Sequence, residues 1–321
     1  MFENTTPFRQ ATPWLLGLFM LIGMDYWLLP RVNCSIEPTG LACFALYMGG
    51  LLALTLLVLA AGELPNSLSR PSSRTFCKAM VFAKRFGYFQ LAVIYVASAF
   101  KAIVVLSYVN IRAGAPAIDA DLAHWDRLIH FDWLGYYRLL NSLPMLRAVL
   151  RATYASAPGQ MSLLMFFLAI TGHTQRMREM LALLLISSFI SVVTVRFMPA
   201  QGTYYFYEVA NQSARELTSQ FLPLRTRPTY IIDFTNLQGL VSIPSFHTCM
   251  AIIFCYALRG WKWLFPVSLA LNGAMLLSTP YYGGHYLVDM LAGAVLCAVL
   301  IWLSRLWFST APELRALRFA V

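Results

Sequence analysis

The chain has 321 residues, 59% of them hydrophobic and only 12% charged, where an ordinary soluble domain carries roughly a quarter charged residues. A soluble fold is excluded, and the bilayer is the solvent. The net charge of +10 does not indicate nucleic acid, because the Lys and Arg residues stand in short loops between apolar runs rather than on one basic face.

Apolar runs suited to a hydrocarbon core of roughly 30 Å, about 20 residues each as helix, recur at 13–30, 41–61, 87–110, 158–173, 179–198, 247–259, 262–280 and 285–307. They predict an all-α, polytopic membrane protein of about eight spans. The first run carries Asp25, lacks a small-x-small cleavage signal and reads as a retained span. With the N-terminus inside, the cytoplasmic side receives Arg9, then Arg70, Arg74, Lys78, Lys84 and Arg85, then Arg176 and Arg178, then Arg259 and Lys262, then Arg305, Arg315 and Arg318. Short basic loops of this kind set orientation. The outside receives Arg31 and two long segments, 111–157 and 199–246. The expected location is a bacterial inner (plasma) membrane, with both termini cytoplasmic.

Of the six cysteines, Cys77, Cys249, Cys255 and Cys297 lie within or beside apolar helices as packing residues, and no paired Cys-x-x-Cys spacing suggests zinc. Cys34 and Cys43 flank one short loop, where a disulfide and two free thiols both fit. Asp25, Glu63 and Lys101 have no partners at helical spacing and read as contacts between helices or as snorkelling groups. Further on, Ile118, Leu122, Trp125, Ile129 and Trp133 recur every three to four residues, with Asp121, Asp126, Arg127 and Asp132 between them. That pattern predicts a helix in the interface, its acids on a wetted face; headgroup or acceptor recognition is the alternative. Segment 199–246, rich in Gly, Pro, Tyr and Arg, reads as a structured loop over a site. No internal repeat or soluble accessory domain is evident.

Two strings put ionisable residues at the start of apolar helices: PSFHT at 244–248 and GGHYLVD at 283–289. His285 and Asp289 are four apart, so they stack on one helix face. Asp289 then accepts from one imidazole nitrogen of His285 and leaves the other nitrogen with its lone pair outward, an activated nucleophile. His247, beginning another helix on the same side, is placed to protonate the oxygen leaving phosphorus. Helix starts preceded by Gly284 and Pro244 offer backbone N–H groups to phosphoryl oxygens. Arg225 and Arg227 add fork-shaped donors, and Ser245 and Thr248 add hydroxyls, although hydroxyls there also serve as plain caps.

Three other readings compete. Each histidine alone fits a packed interfacial residue, but two His and one Asp converging beside glycines fit function better, since titratable groups in membrane helices are costly. A metal site is conceivable from His-x-x-x-Asp and a distant His, yet nothing else requires a metal and no cofactor is implied. A proton-coupled transporter would use the same three residues as a relay, spread through the bundle's depth rather than gathered at one level.

The two strings resemble the phosphatidic acid phosphatase type 2 superfamily, whose second and third motifs are Pro-Ser-x-His and Ser-Arg-x5-His-x3-Asp. Here they read PSFH at 244–247 and STPYYGGHYLVD at 278–289. They look closest to its inositolphosphotransferase and inositol phosphorylceramide synthase branch, related to sphingomyelin synthases. PAQGTYYFY and the D-x-x-L-x-x-W-D segment near Asp121 resemble that branch as well, and the likeness covers about residues 87–307. The resemblance implies His285 as the nucleophile forming a phosphohistidine, Asp289 as its partner and His247 as the leaving-group acid. It also implies a six-span catalytic domain at 87–321, with 1–86 as two added N-terminal spans and a basic loop. Two departures bear on the reaction. Thr279 stands where the phosphatase motif has Arg, and of the first motif, Lys-x6-Arg-Pro, only Arg227-Pro228 remains, with Gln220 at the Lys position. Fewer cations disfavour hydrolysis of a dianionic monoester and favour headgroup transfer from a phospholipid donor to a lipid or polyol acceptor. Lipid-phosphate hydrolysis is the runner-up. Those roles predict a bell-shaped pH dependence and indifference to chelators.

Overall fold

The computed structural model describes residues 7–68, 74–209 and 220–310, with side chains at 12–60, 77–209 and 220–306. Arg9, Glu63, Arg70, Arg74, Arg315 and Arg318, or their side chains, lie outside the described residues. The helices in chain order are α1 (Pro7–Leu28), α2 (Pro38–Leu68), α3 (Arg74–Arg112), α4 (Asp119–Leu128), α5 (Trp133–Ser142) and α6 (Pro144–Ala155). There follow α7 (Ala157–Ile170), α8 (Thr174–Thr194), α9 (Thr203–Phe206), α10 (Phe221–Thr226), α11 (Phe246–Ala257), α12 (Leu264–Tyr282) and α13 (Leu287–Thr310). Two short strands, β1 (Cys34–Ile36) and β2 (Tyr230–Ile232), pair in parallel with Cys34 opposite Tyr230, a small exception to the all-α expectation.

Among the described residues, five helices are long and apolar enough to cross a membrane: Thr12–Val32, Pro38–Ala60, Cys77–Arg112, Thr174–Thr194 and Leu287–Leu306. A sixth arises if α6 and α7, bent by 48° at their junction, form one span. The count of eight is therefore not reached by length and composition. α11 has 12 residues, about 18 Å of helix against a core of roughly 30 Å. α12 carries the buried polar residues Asn272, Ser278 and Thr279 along its apolar length.

The chain divides into two compact units. The first comprises Met1–Ala113, Met165–His173 and Gln220–Leu240. Here Glu37 caps α2 from outside, accepting from the backbone N–H of Thr39 at 3.2 Å and Gly40 at 2.7 Å, with Pro38 pre-set at the first helical position. Close by in the same unit, the Arg112 guanidinium donates to the carbonyls of Val32, Leu224, Arg227 and Pro228, and so ties the end of α3 to α10 and to the chain leading into both strands. Lys101 of α3 reaches the Phe234 carbonyl of a loop at 2.7 Å, beside the ring of Phe234 and that of Phe44 in α2. Cys34 is buried, Cys43 exposed, and both are free thiols.

The second unit comprises Gly114–Leu164, Thr174–Ser219 and Val241–Val321. α11 lies at its centre, packed on α8, α12 and α13, while α12 also packs on α6. Small residues permit the close crossings. Ser187 and Ser191 of α8 return their hydroxyls to carbonyls of their own helix at 3.1 and 2.9 Å. Cys249 of α11 donates its thiol to the Gly293 carbonyl of α13 at 3.3 Å, and Cys297 points back to the Cys249 carbonyl at 3.9 Å. These two cysteines fill a helix crossing.

Candidate active site

Within the second unit, the start of α11 and the start of α13 are tied together by main-chain and carboxylate hydrogen bonds. The Ser245 N–H donates to the Asp289 carbonyl at 2.9 Å. Asp289, fully buried, faces His285, with its Oδ2 3.3 Å from the imidazole Nδ1. The same oxygen accepts from Ser242 Oγ at 2.6 Å and from the Tyr286 N–H at 3.1 Å. Facing that oxygen, Nδ1 is placed as the donor of the pair, an arrangement that leaves Nε2 of a neutral imidazole with its lone pair. This is the pairing that the i, i+4 spacing predicted.

The ring of His247 lies 6.3 Å from that of His285, centroid to centroid, at 62°. Its other face is covered by Tyr154 of α6, stacked at 4.4 Å and 17°, with the phenol oxygen 3.5 Å from His247 Nδ1. One histidine is thus held by a carboxylate and the other by an aromatic plane. Two imidazoles at this separation can face a single phosphate group, one attacking and the other donating.

Asp126 corrects the expectation of a wetted acidic face. It is fully buried, and its carboxylate accepts from the N–H groups of Leu287 at 3.0 Å and Val288 at 2.9 Å, capping α13 from a distant helix. Asp119 is also buried. It accepts from Gln201 N–H at 3.0 Å, Gly202 N–H at 2.9 Å and the Tyr286 hydroxyl at 3.0 Å. Burial pushes both carboxyls up from the ordinary aspartate range, and the N–H donors pull against it. Asp121 and Asp132 are the exposed acids of this segment.

The expectation that both helix starts present free N–H groups to phosphate is corrected with it. At α13 those of Tyr286, Leu287 and Val288 are taken by Asp289 and Asp126. Gly284, with φ of 63°, contributes its carbonyl, which accepts from the Thr203 N–H at 3.0 Å. Beside it, a Cβ on Gly283 would lie 2.7 Å from His285 Cδ2 and 2.8 Å from the Thr279 carbonyl, so only glycine lets the chain turn under the imidazole. At α11 the hydroxyls of Ser245 and Thr248 are buried without a hydrogen-bond partner, next to His247 in sequence. Thr279 spends its hydroxyl on the Met275 carbonyl at 2.8 Å.

Arg225 and Arg227 belong to the first unit. The Arg225 guanidinium sits 5.8 Å from the Phe221 ring, and the Arg227 carbonyl accepts from Arg112 at 2.9 Å. Gln220 accepts from the Tyr108 hydroxyl and donates to the Asn236 carbonyl at 3.0 Å. Among the described residues no group of three or more His, Cys, Asp or Glu side chains is placed to hold a metal ion. Tyr154, Ser242, Tyr286 and Asp119 were not singled out in the sequence. Three of them had a local signal: Tyr286 inside the GGHYLVD string, Asp119 at the start of D-x-x-L-x-x-W-D, and Ser242 five residues before His247.

The model of the PAP2 (phosphatidic acid phosphatase type 2) superfamily matches residues 120–303, more than half of the chain and from α4 to near the end of α13. The chain belongs to the PAP2 superfamily. No curated protein and no solved structure matches it. PAP2 proteins are typically enzymes, phosphatases and phosphotransferases of lipid substrates, and the paired helix starts bearing His247 and His285 fall inside the PAP2 match. That match begins at residue 120 rather than near 87, which leaves α1 to α3 outside it.

Proposed function

We propose that the protein transfers a phosphorylated headgroup from a phospholipid to a lipid or polyol hydroxyl through a phosphohistidine, in the manner of the inositolphosphotransferase branch. His285 Nε2 attacks phosphorus and forms the N–P bond. The P–O bond to diacylglycerol breaks, and His247 gives its proton to the departing oxygen. An acceptor hydroxyl then attacks phosphorus, returns a proton to His247 and releases His285. Asp289 holds the imidazole in the reactive tautomer. Ser245, Thr248, the Gly284 turn, Arg225 and Arg227 are assigned to phosphate or substrate, the arginines on motif spacing alone.

The observation that carries this reading is the meeting of His285, its buried carboxylate partner and His247 across a gap of 6.3 Å between ring centroids. Transfer is preferred to monoester hydrolysis because Thr279, at the position of the motif arginine, turns its hydroxyl into its own helix. No step needs a metal. In the same proposal the six C-terminal spans at 87–321 form the catalytic domain, residues 1–86 are an N-terminal addition, and the site opens to the non-cytoplasmic face of an inner membrane.

Incubation of the purified protein with headgroup-labelled phospholipids and a lipid extract, followed by mass spectrometry, tests the reaction. Diacylglycerol together with a newly labelled lipid or phosphopolyol is expected. Release of inorganic phosphate from phosphatidate, with no transfer product, supports hydrolysis instead. His247→Gln is expected to slow turnover about 10²–10⁴-fold.

A further inference from the structure

At the ends of α8, α11 and α13 remote from His285, three arginines gather around the rings of Tyr256 and Trp261, and one of them, Arg259, pairs with the Glu179 carboxylate. Glu179 is buried and accepts from Tyr256 Oη at 2.8 Å, Arg259 Nη2 at 2.7 Å and Ser304 Oγ at 3.1 Å. The guanidinium of Arg259 lies 3.8 Å from the Tyr256 ring centroid and that of Arg305 lies 5.2 Å from it, with Arg305 Nε 3.4 Å from Tyr256 Oη. Arg176 donates to the carbonyls of Arg259 at 2.7 Å and Ala257 at 3.4 Å and stands 4.5 Å over the Trp261 ring. Lys262, exposed, follows directly.

Arginines that only orient a membrane protein need reach no further than their loop. Arg176 and Arg259 are half-buried against aromatic rings and carbonyls, the exposed Arg305 lies beside Tyr256, and the one carboxylate, Glu179, cannot neutralise three guanidinium groups. Arg305 is 18 residues along α13 from Leu287, about 27 Å of helix, close to the thickness of a hydrocarbon core. The cluster therefore stands at headgroup level of the leaflet opposite His285. Planar forks beside tryptophan and tyrosine at that depth suit a phosphate monoanion carried on acyl chains.

We infer that Arg176, Arg259 and Arg305 bind the phosphate of an anionic phospholipid in the leaflet opposite the candidate active site. The test titrates purified protein in neutral detergent with dioctanoyl phosphatidylglycerol, dioctanoyl phosphatidylcholine and inorganic phosphate, read by native mass spectrometry and thermal unfolding. Phosphatidylglycerol is expected to bind more tightly than either comparison, and equally well to His285→Ala. Binding weakens roughly fivefold in Arg176→Gln and again in Arg305→Gln, whereas Arg305→Lys retains most of it. Equal binding of phosphatidylcholine or of inorganic phosphate, loss in His285→Ala, or full retention in both Gln variants overturns the assignment. If Arg176→Gln aggregates, the exposed Arg305→Gln decides alone: weaker phosphatidylglycerol binding sustains the site, and unchanged binding removes it.

Discussion

Asp289 collects its donors from Ser242, the Tyr286 backbone and His285, so its geometry is set by three contacts and not by the imidazole alone. Asp289→Asn keeps the shape but offers an amide N–H toward Nδ1, which favours the wrong tautomer. Turnover is expected to fall on the order of 10⁴-fold while the unfolding temperature changes little; an Asn variant with near-normal kinetics removes Asp289 from the mechanism. Asp119 and Asp126 carry a different expectation, one of pH. Their folded carboxyls are raised by burial above the reference value of 3.8, so the folded state holds these protons more tightly than the unfolded chain. Acidification through the raised values toward 3.8 then adds to stability, and the contribution is lost as pH rises through them. Thermal unfolding between pH 7 and pH 4 should show this component in the wild type and not in an Asp119→Asn, Asp126→Asn double variant. A component of opposite sign contradicts it.

At the scale of elements, α5 works as a brace on the chain that leads into α13. Trp133, the first residue of α5, is buried and donates its indole N–H to the Pro280 carbonyl at 2.9 Å, while its ring stacks on Tyr137 at 5.4 Å and on Tyr207 at 5.3 Å. The Tyr204 hydroxyl takes the next carbonyl, that of Tyr281. Trp133→Ala should therefore lower stability by about 3–5 kcal/mol and reduce turnover beyond what unfolding explains, as read by calorimetry alongside single-turnover kinetics. Unchanged stability contradicts the brace. The helical period of Ile118, Leu122, Trp125 and Ile129 was legible, because an amphipathic stripe is a local property. Which side its acids face was not, since the partners of Asp126 lie some 160 residues away. α6 was missed for a related reason. It lay inside the long outside segment 111–157 with no element assigned to it, and Tyr154 acquires meaning only through the ring it covers.

Across the whole molecule, composition was sufficient for the solvent, because an apolar chain of this kind has nowhere else to bury itself. It was insufficient for the span count, because α11 ends after 12 residues and α6 and α7 meet at 48°, limits set by packing and not by hydropathy. The His285–Asp289 pair was legible from helix geometry, and His247 from its place in a matching motif. Of the groups around them, Asp119, Asp126 and Tyr154 come from segments remote in sequence, and no local spacing pairs them with the histidines. The account stands on covalent chemistry at one imidazole, and the most direct measurement is protein-bound phosphorus after brief exposure to phosphate-labelled phospholipid. An acid-labile, base-stable adduct on His285, absent in His285→Ala and formed more slowly in His247→Gln, is expected. Substrate turnover with no adduct at any quench time, or an adduct that persists in His285→Ala, contradicts the account.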